Sequence, residues 1–428
     1  VSTPPTVFVA TCDLAAHVRG RSVPAASEGS VLRSGTGWVP ANLAITCFDE
    51  LTEGPFDSTG DLRLIPDPRA AFDVPAIGSA PPLRLYLGTQ TTLDGDPWDG
   101  DSRSFALTAL SELEARHGLR VVAAFEHEFV LEGLPSTSPA FSLQRYRLAE
   151  PFGSELLAAA VHAGLEPETW LAEYGADQFE FTVAPAEGIG AADRAIVLRE
   201  LVREIARANG LSASFAPMMH PDATGTGVHV HLSLIDADGE PVLADPGREG
   251  GLSELGARFA AGIVRHAASM IAVTAPSPSS SLRLGEHHWS SAGAYLAQRD
   301  REALLRICPT TPLSSTPQER QFNLEFRAAD ATANPWLVLG LLVRAGLAGL
   351  DGSEAEPVLD GPPVEHAAGR RLPASGAEAL AALEADETVR SWFPATLIDT
   401  FIAVRRAEQS AAAGWTPEEV CRRIADAY

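Results

Sequence analysis

Lysine is missing from this sequence. All 32 basic residues among the 428 are arginine. That excludes any chemistry carried by a lysine of the chain, such as a pyridoxal Schiff base, a Walker-type phosphate lysine or a lysyl-nucleotide intermediate. Positive charge is scarce as well: 56 acidic residues give a formal net charge of −24. A nucleic-acid binder needs a basic surface to neutralise phosphates, so no nucleic-acid partner is expected. Cysteine is sparse. Cys12, Cys47, Cys308 and Cys421 lie far apart without a C-x-x-C, which indicates neither a zinc site nor a disulfide framework and suits core filler. The best membrane candidate, Ala333–Leu350, is interrupted by Asn334, Pro335 and Arg344, so it reads as a buried helix and no membrane partner is expected. Val1–Ala10 lacks the basic start of a signal peptide. A cytoplasmic protein is the expectation.

What is present can bury large cores: 45% of residues are hydrophobic and 21% charged. A prior of roughly 150 residues per domain suggests two or three domains. Thr6–Thr11, Leu43–Phe48 and Leu62–Pro66 read as extended segments, and a Gly/Pro/Asp-rich linker around Gly95–Gly100 marks a boundary. Beyond it, helical spacing predicts Ser104–Gly118, Ser154–Ala163, Ala191–Asn209, Leu252–Thr274, Pro335–Leu350, Gly376–Ala385 and Pro394–Gln409. Strands are expected at Val121–Leu131, Gln178–Val183, Gly227–Leu234 and Phe322–Arg327. Without a regular βαβ rhythm, this mixture favours an α+β fold.

Polar residues two apart within strand-like segments are the informative pattern. Glu126 and Glu128 share a sheet face, as do Gln178 and Glu180, His229 and His231, and Glu325 and Arg327. Carboxylates crowded on one face repel unless cations sit between them. Several glutamates with histidine supply the hard ligands that suit Mg²⁺ or Mn²⁺. Arg283, Arg299, Arg301, Arg306, Arg320 and Arg327 form a second constellation. With metal ions, such planar, always-charged donors are what phosphoryl transfer requires.

Together these segments resemble the glutamine synthetase family, nearly end to end. The resemblance rests on FEHEF (125–129), EYGADQFE (173–180), GTGVHVHLSL (225–234), RDREALLRI (299–307) and EFRAADATANPWL (325–337), in the family's order. It implies a small N-terminal β-grasp domain (1–98) and a catalytic domain (99–428) with a curved antiparallel sheet and flanking helices. It also implies self-association into two stacked hexameric rings, a dodecamer. Glu128, Glu173 and Glu180 match the ligands of one metal, and Glu126, His229 and Glu325 those of the second. The expected ion count is two or three Mg²⁺ or Mn²⁺. Arg301, Arg306 and Arg327 match arginines that bind the transferring phosphate and substrate. Arg283, Gly225 and Thr224 fall at substrate-holding positions, and His231, Ser233, Arg320 and Asn323 at ATP-binding ones. The implied reaction is ATP-dependent phosphorylation of the γ-carboxylate of glutamate, then amide formation.

The departures from the family's pattern concern the nucleophile. Where an ammonia-binding glutamate is expected, six residues after Arg283, the chain has Trp289. In the N-terminal loop VLRSGTGW (31–38), Val31 falls at the place of an aspartate. Ammonium needs carboxylates, whereas a tryptophan offers a π surface suited to an organic amine. Thr224 replaces an asparagine and Asn323 an arginine, and Pro357–Leu372 holds no tyrosine for regulatory adenylylation. The expectation is therefore a ligase joining glutamate to a small organic amine. The alternatives are glutamine synthesis with ammonia, a metal-dependent phosphotransferase of the same fold, and a non-catalytic ring-forming homologue.

Overall fold

A computed structural model of the chain describes residues 5–52, 56, 59–285, 288–291, 293–352, 354–360 and 371–428. The fold is α+β, with two sheets. The first contains β1 (Thr6–Cys12), β2 (Val18–Pro24), β3 (Thr36–Trp38), β4 (Leu62–Val74) and β5 (Leu83–Thr91). Their order is β2-β1-β5-β4-β3. β1 and β5 pair in parallel at the centre, and the other pairs are antiparallel. The short helix Glu28–Ser34 lays Val31 against a cluster with Val7, Val9, Trp38, Leu62, Leu64 and Tyr86. A sheet wrapped on one helix in this way is grasp-like, as expected.

The second sheet holds β6 (Arg120–Glu132), β7 (Pro167–Ala172), β8 (Gln178–Val183), β9 (Ala186–Glu187) and β10 (Ser212–Ser214). It continues with β11 (Val228–Ile235), β12 (Gly293–Gln298), β13 (Ala303–Ile307), β14 (Leu324–Ala329) and β15 (Val358–Asp360). The path is β15-β12-β13-β14-β11-β6-β8-β7, with β9 and β10 also paired to β6. It is antiparallel except that β12 runs parallel to β13 and β15. β6 alternates strictly: Val121, Ala123, Phe125, His127, Phe129 and Leu131 are buried, which leaves Glu126 and Glu128 on the other face. The histidine of FEHEF thus points into the core, where burial pulls its pKa down to about 3.

Helices cover the buried face. Ser102–His117 is capped by Asp101, whose side chain accepts from Ser104 N, and ends at Gly118 with φ 65°. Pro335–Asp351 begins at Asn334, whose side chain caps Trp336 N at 2.9 Å and also donates to Cys12 O at 2.9 Å. That one side chain ties the start of this helix to the end of β1. The same helix crosses Glu254–Arg265 at close range. A Cβ on Gly262 would lie 1.8 Å from Ala345 O, so only glycine fits there.

Two expected elements differ. Leu43–Phe48 is a 3-10 helix, Pro40–Ala44, followed by a turn. There Thr46 Oγ1 accepts from Phe48 N and Glu50 N, and Glu408 takes Cys47 N at 2.7 Å, so the chain turns back at once and, among the described residues, only a single bridge, Ile45 to Leu51, forms. Leu252–Thr274 is two helices, Glu254–Arg265 and Ala267–Thr274, broken at His266 (φ −98°, ψ 10°) where its Nδ1 meets Asp386 at 2.8 Å. Within the tyrosine-free segment Pro357–Leu372, residues 361–370 lie outside the described residues. The four cysteines are free and buried. Among the described residues, no helix is long and apolar enough to cross a membrane.

Candidate active site

Strand register assembles the site. Across β6 and β11, His229 stands opposite Glu126. Across β6 and β8, Glu128 stands opposite Glu180. β14 sets Glu325 beside His231 of β11 on one side and Arg306 of β13 on the other. Because side chains alternate with period two, five neighbouring strands send their polar residues to one face.

The contacts are close. His229 Nδ1 lies 3.1 Å from Glu126 Oε1 and 3.6 Å from Glu325 Oε1, and His231 Nε2 lies 3.2 Å from Glu126 Oε2. Arg306 pairs with Glu325 at 2.8 Å, and Arg327 pairs with the other oxygen of the same carboxylate. Two groups bring donor atoms within 4.8 Å of one another: Glu126, Glu180 and His229, and Glu126, His231 and Glu325. Both could hold a divalent cation. Glu128 stands outside them, its Oε2 accepting from Gly227 N at 2.7 Å and from Gln178 Nε2 at 3.2 Å. Glu173 also stands outside, receiving Tyr174 N at 3.0 Å.

The acids do not share one state. Burial and the neighbouring Glu126 push Glu180 up to about 10. Burial also raises Glu126, but hydrogen bonds from His229 and His231 outweigh it and hold that carboxyl well below the usual range. Glu325 is likewise raised by burial, yet the charges of His229, Arg327, His231 and Arg306 bring it to about 2. Glu173 is raised by burial and by Glu128. A carboxyl kept protonated beside ionised ones marks a site short of positive charge.

Two cavities meet at this cluster. The larger, about 1020 Å³, is lined by Glu126, Glu128, Glu173, Glu180 and His229, and also by Thr224, Gly225, Arg283, Trp289, Arg301 and Arg327. The smaller, about 340 Å³, is lined by Glu126, His231, Ser233, Arg320 and Asn323 together with apolar residues of β6. Glu126 is common to both. Arg306 lines neither, facing a separate cavity beside Cys308. Arg320, half exposed, grips both carboxylate oxygens of Glu240 at 3.0 Å.

The G-T-G turn serves a neighbour. A Cβ on Gly225 would meet Arg283 Cγ at 2.4 Å, and one on Gly227 would meet its NH1 at 2.8 Å. The glycines therefore make room for the buried Arg283, which donates to Ala329 O at 2.6 Å. Among the described residues its buried Nε has no partner. Burial lowers its pKa, although an arginine stays charged. Trp289 is 72% exposed with φ 55°. Its carbonyl accepts from Arg327 at 2.9 Å and its N–H donates to Glu302 at 3.4 Å. Val31, by contrast, is buried under the N-terminal sheet.

Several wall residues carry no role in the sequence reading. Gln178 donates to Gly225 O at 2.9 Å as well as to Glu128, which ties the G-T-G turn to β8. Its place two residues before Glu180 was the available signal. Phe141, Tyr174 and Asp222 also line the larger cavity. Nothing in the spacing of Phe141 points there, since it sits in a loop well before EYGADQFE.

Relatives share this architecture. Residues 99–422 match the family described as glutamine synthetase, catalytic domain, and residues 5–98 that described as glutamine synthetase N-terminal domain. A gamma-glutamylpolyamine synthetase of Streptomyces coelicolor is 31% identical over 95% of this chain and 90% of its own. A glutamate–isopropylamine ligase of a Pseudomonas species is 26% identical over 73% of this chain and 71% of its own. A solved structure described as a novel glutamine synthase homologue matches with a TM-score of 0.93 and 42% identity, covering 100% of this chain and 99% of that one. With both sheets matched in sequence and the whole chain matched in shape, this protein belongs to the glutamine synthetase family of carbon–nitrogen ligases.

Proposed function

We propose that the chain is an ATP-dependent ligase joining the γ-carboxylate of glutamate to an organic amine through γ-glutamyl phosphate. The observation that carries this reading is Trp289, exposed on the wall of the 1020 Å³ cavity beside Arg327 where ammonia-using relatives are expected to hold a carboxylate. The names of the polyamine and isopropylamine relatives support it.

In this reading residues 99–428 form the catalytic domain and residues 1–98 the grasp-like one. Arg283, with its unpartnered buried Nε, holds a carboxylate of glutamate beside Gly225 and Thr224. ATP occupies the smaller cavity, against His231, Ser233, Asn323 and Arg320. Two or three divalent cations, Mg²⁺ or Mn²⁺, held among Glu126, Glu128, Glu173, Glu180, His229 and Glu325, would neutralise the triphosphate and the acid cluster. The fit is chemical: carboxylate oxygen and imidazole donors within 4.8 Å of one another, the hard ligands that suit Mg²⁺ or Mn²⁺. The γ-carboxylate oxygen attacks the γ-phosphorus and ADP leaves. Arg301 and Arg327, on the same wall, hold the transferring group, and Arg306 steadies Glu325. The amine nitrogen then attacks the acyl carbon, phosphate departs, and the amine proton passes to solvent.

Incubation with ATP, Mg²⁺, glutamate and a panel of amines, followed by ADP release and amide mass, tests the proposal. Amide with an organic amine and little with ammonia is expected. Best turnover with ammonia would refute it.

A further inference from the structure

Eight large hydrophobic side chains stand out as exposed among the described residues, and three of them are aromatic: Phe141 (62%), Tyr174 (70%) and Trp289 (72%). All three line the one 1020 Å³ cavity that also holds the acid–histidine cluster. Scattered apolar residues on a surface need no explanation, but every exposed aromatic gathered on one cavity wall does. Phe141 and Tyr174 come from separate loops and meet with ring centroids 6.5 Å apart and a 41° tilt.

Backbone geometry adds a second observation. Phe141 and Trp289 have φ of 54° and 55°, the left-handed region that bulky side chains avoid. Strain of this kind persists only where surrounding contacts impose it, and it gathers at ligand sites. For Trp289 those contacts are the bonds of its carbonyl with Arg327 and its N–H with Glu302. The indole is displayed toward the cavity instead of being folded into the core.

The acids of the same wall decide which amine such a surface suits. Glu126 and Glu180 belong with His229 to a cation group, and Glu128 is engaged by Gly227 N and Gln178. Glu173 adjoins that cluster, its carboxylate receiving Tyr174 N at 3.0 Å. Among the described residues the remaining wall acid is Asp222, whose side chain is 92% exposed. A second ammonium group would find there a carboxylate weakened by water and salt. An apolar body would find three rings, each able to cover on the order of 150–250 Å².

We propose that the amine partner is a primary monoamine carrying an aromatic or similarly bulky apolar body, bound against Trp289, Phe141 and Tyr174. This rests on the amine-ligase reading above and deepens it.

The test measures kcat/KM for benzylamine, methylamine, putrescine, spermidine and ammonia in the wild-type protein and in Trp289→Ala, Trp289→Phe, Phe141→Ala and Tyr174→Ala, with the sedimentation of each variant recorded. Benzylamine is expected to lead. Trp289→Ala should lower its kcat/KM by ~10–100-fold and collapse its advantage over methylamine, with Trp289→Phe restoring much of the difference. If Trp289→Ala misfolds or changes assembly, the benzylamine-to-methylamine ratio in Phe141→Ala and Tyr174→Ala decides. Preference for putrescine, spermidine or ammonia overturns the proposal. So does a ratio unmoved in every well-folded variant. Absence of amide from all the amines would sink the ligase reading itself, a distinguishable failure.

Discussion

Glu180 faces Glu128 across β6 and β8 and, at about 10, keeps a proton at neutral pH. Its folded value lies above the 4.5 of a free carboxyl. The native cation-free protein thus binds a proton that the unfolded chain has already released. The stability it contributes therefore falls as pH rises from 4.5 toward 10, and a bound cation relieves that loss. Titrating the cation-free protein with Mg²⁺ near pH 7.5, in buffers of different ionisation heat, should show release of ~1 proton per chain. The Glu180→Gln variant should release fewer. Glu325 sits at the opposite extreme, held near 2 with two arginines on its oxygens. Glu325→Ala leaves Arg306 and Arg327 without that carboxylate and should reduce turnover by at least ~100-fold in the amide assay. Retention of a tenth of wild-type activity would remove Glu325 from the site.

Strands were legible where alternation was visible. The β6, β8, β11 and β14 segments each showed polar residues two apart, and those pairs are what the register brings onto one face. The helices with clear caps, such as Ser102–His117 behind Asp101, were legible too. Segments whose conformation depends on a distant partner were not. Leu43–Phe48 reads as a strand by composition, yet its backbone is claimed by Glu408 from the far end of the chain. Nor did the helical pattern of Leu252–Thr274 reveal the break at His266, whose ring pairs with Asp386 on another element. The cavity wall was half legible: Trp289 stood out against the family's pattern, while Phe141 lies in a loop with no period to read. Asp386 also bonds Ser269 and caps Val389 N. Asp386→Ala should therefore cost about 1–3 kcal/mol in urea unfolding. Burial raises Asp386, but the hydrogen bond to His266 outweighs it and its pKa is lowered, so that support is present above the carboxyl's ordinary 3.8 and fades as pH falls below it.

At the scale of the whole molecule, buried ions fasten the N-terminal sheet to the catalytic body. Arg103 is 1% exposed and pairs with Asp67 of β4 at 3.1 Å and with Asp193 at 2.8 Å, while Trp336 Nε1 donates to Asp193 at 2.7 Å. Arg103→Ala leaves buried Asp193 with only the Trp336 donor and no counter-charge, while Asp67 keeps Arg69, so a loss of about 3 kcal/mol is expected. Thermal melting followed by near-UV circular dichroism would register it as a lower Tm in one transition, because a continuous core spans both sheets. Sedimentation should find twelve chains per particle if the proposed double ring forms; a stable monomer at micromolar concentration would contradict it. Glu126 carries the remaining consequence. As the shared partition of two cavities, it cannot adjust to an occupant on one side without changing what the other side meets. Linkage then demands reciprocity: the factor by which saturating glutamate alters the Kd for nucleotide must equal the factor by which saturating nucleotide alters the Kd for glutamate. In Glu126→Gln that common factor should move toward one, as two rooms whose dividing wall no longer transmits a change of tenant.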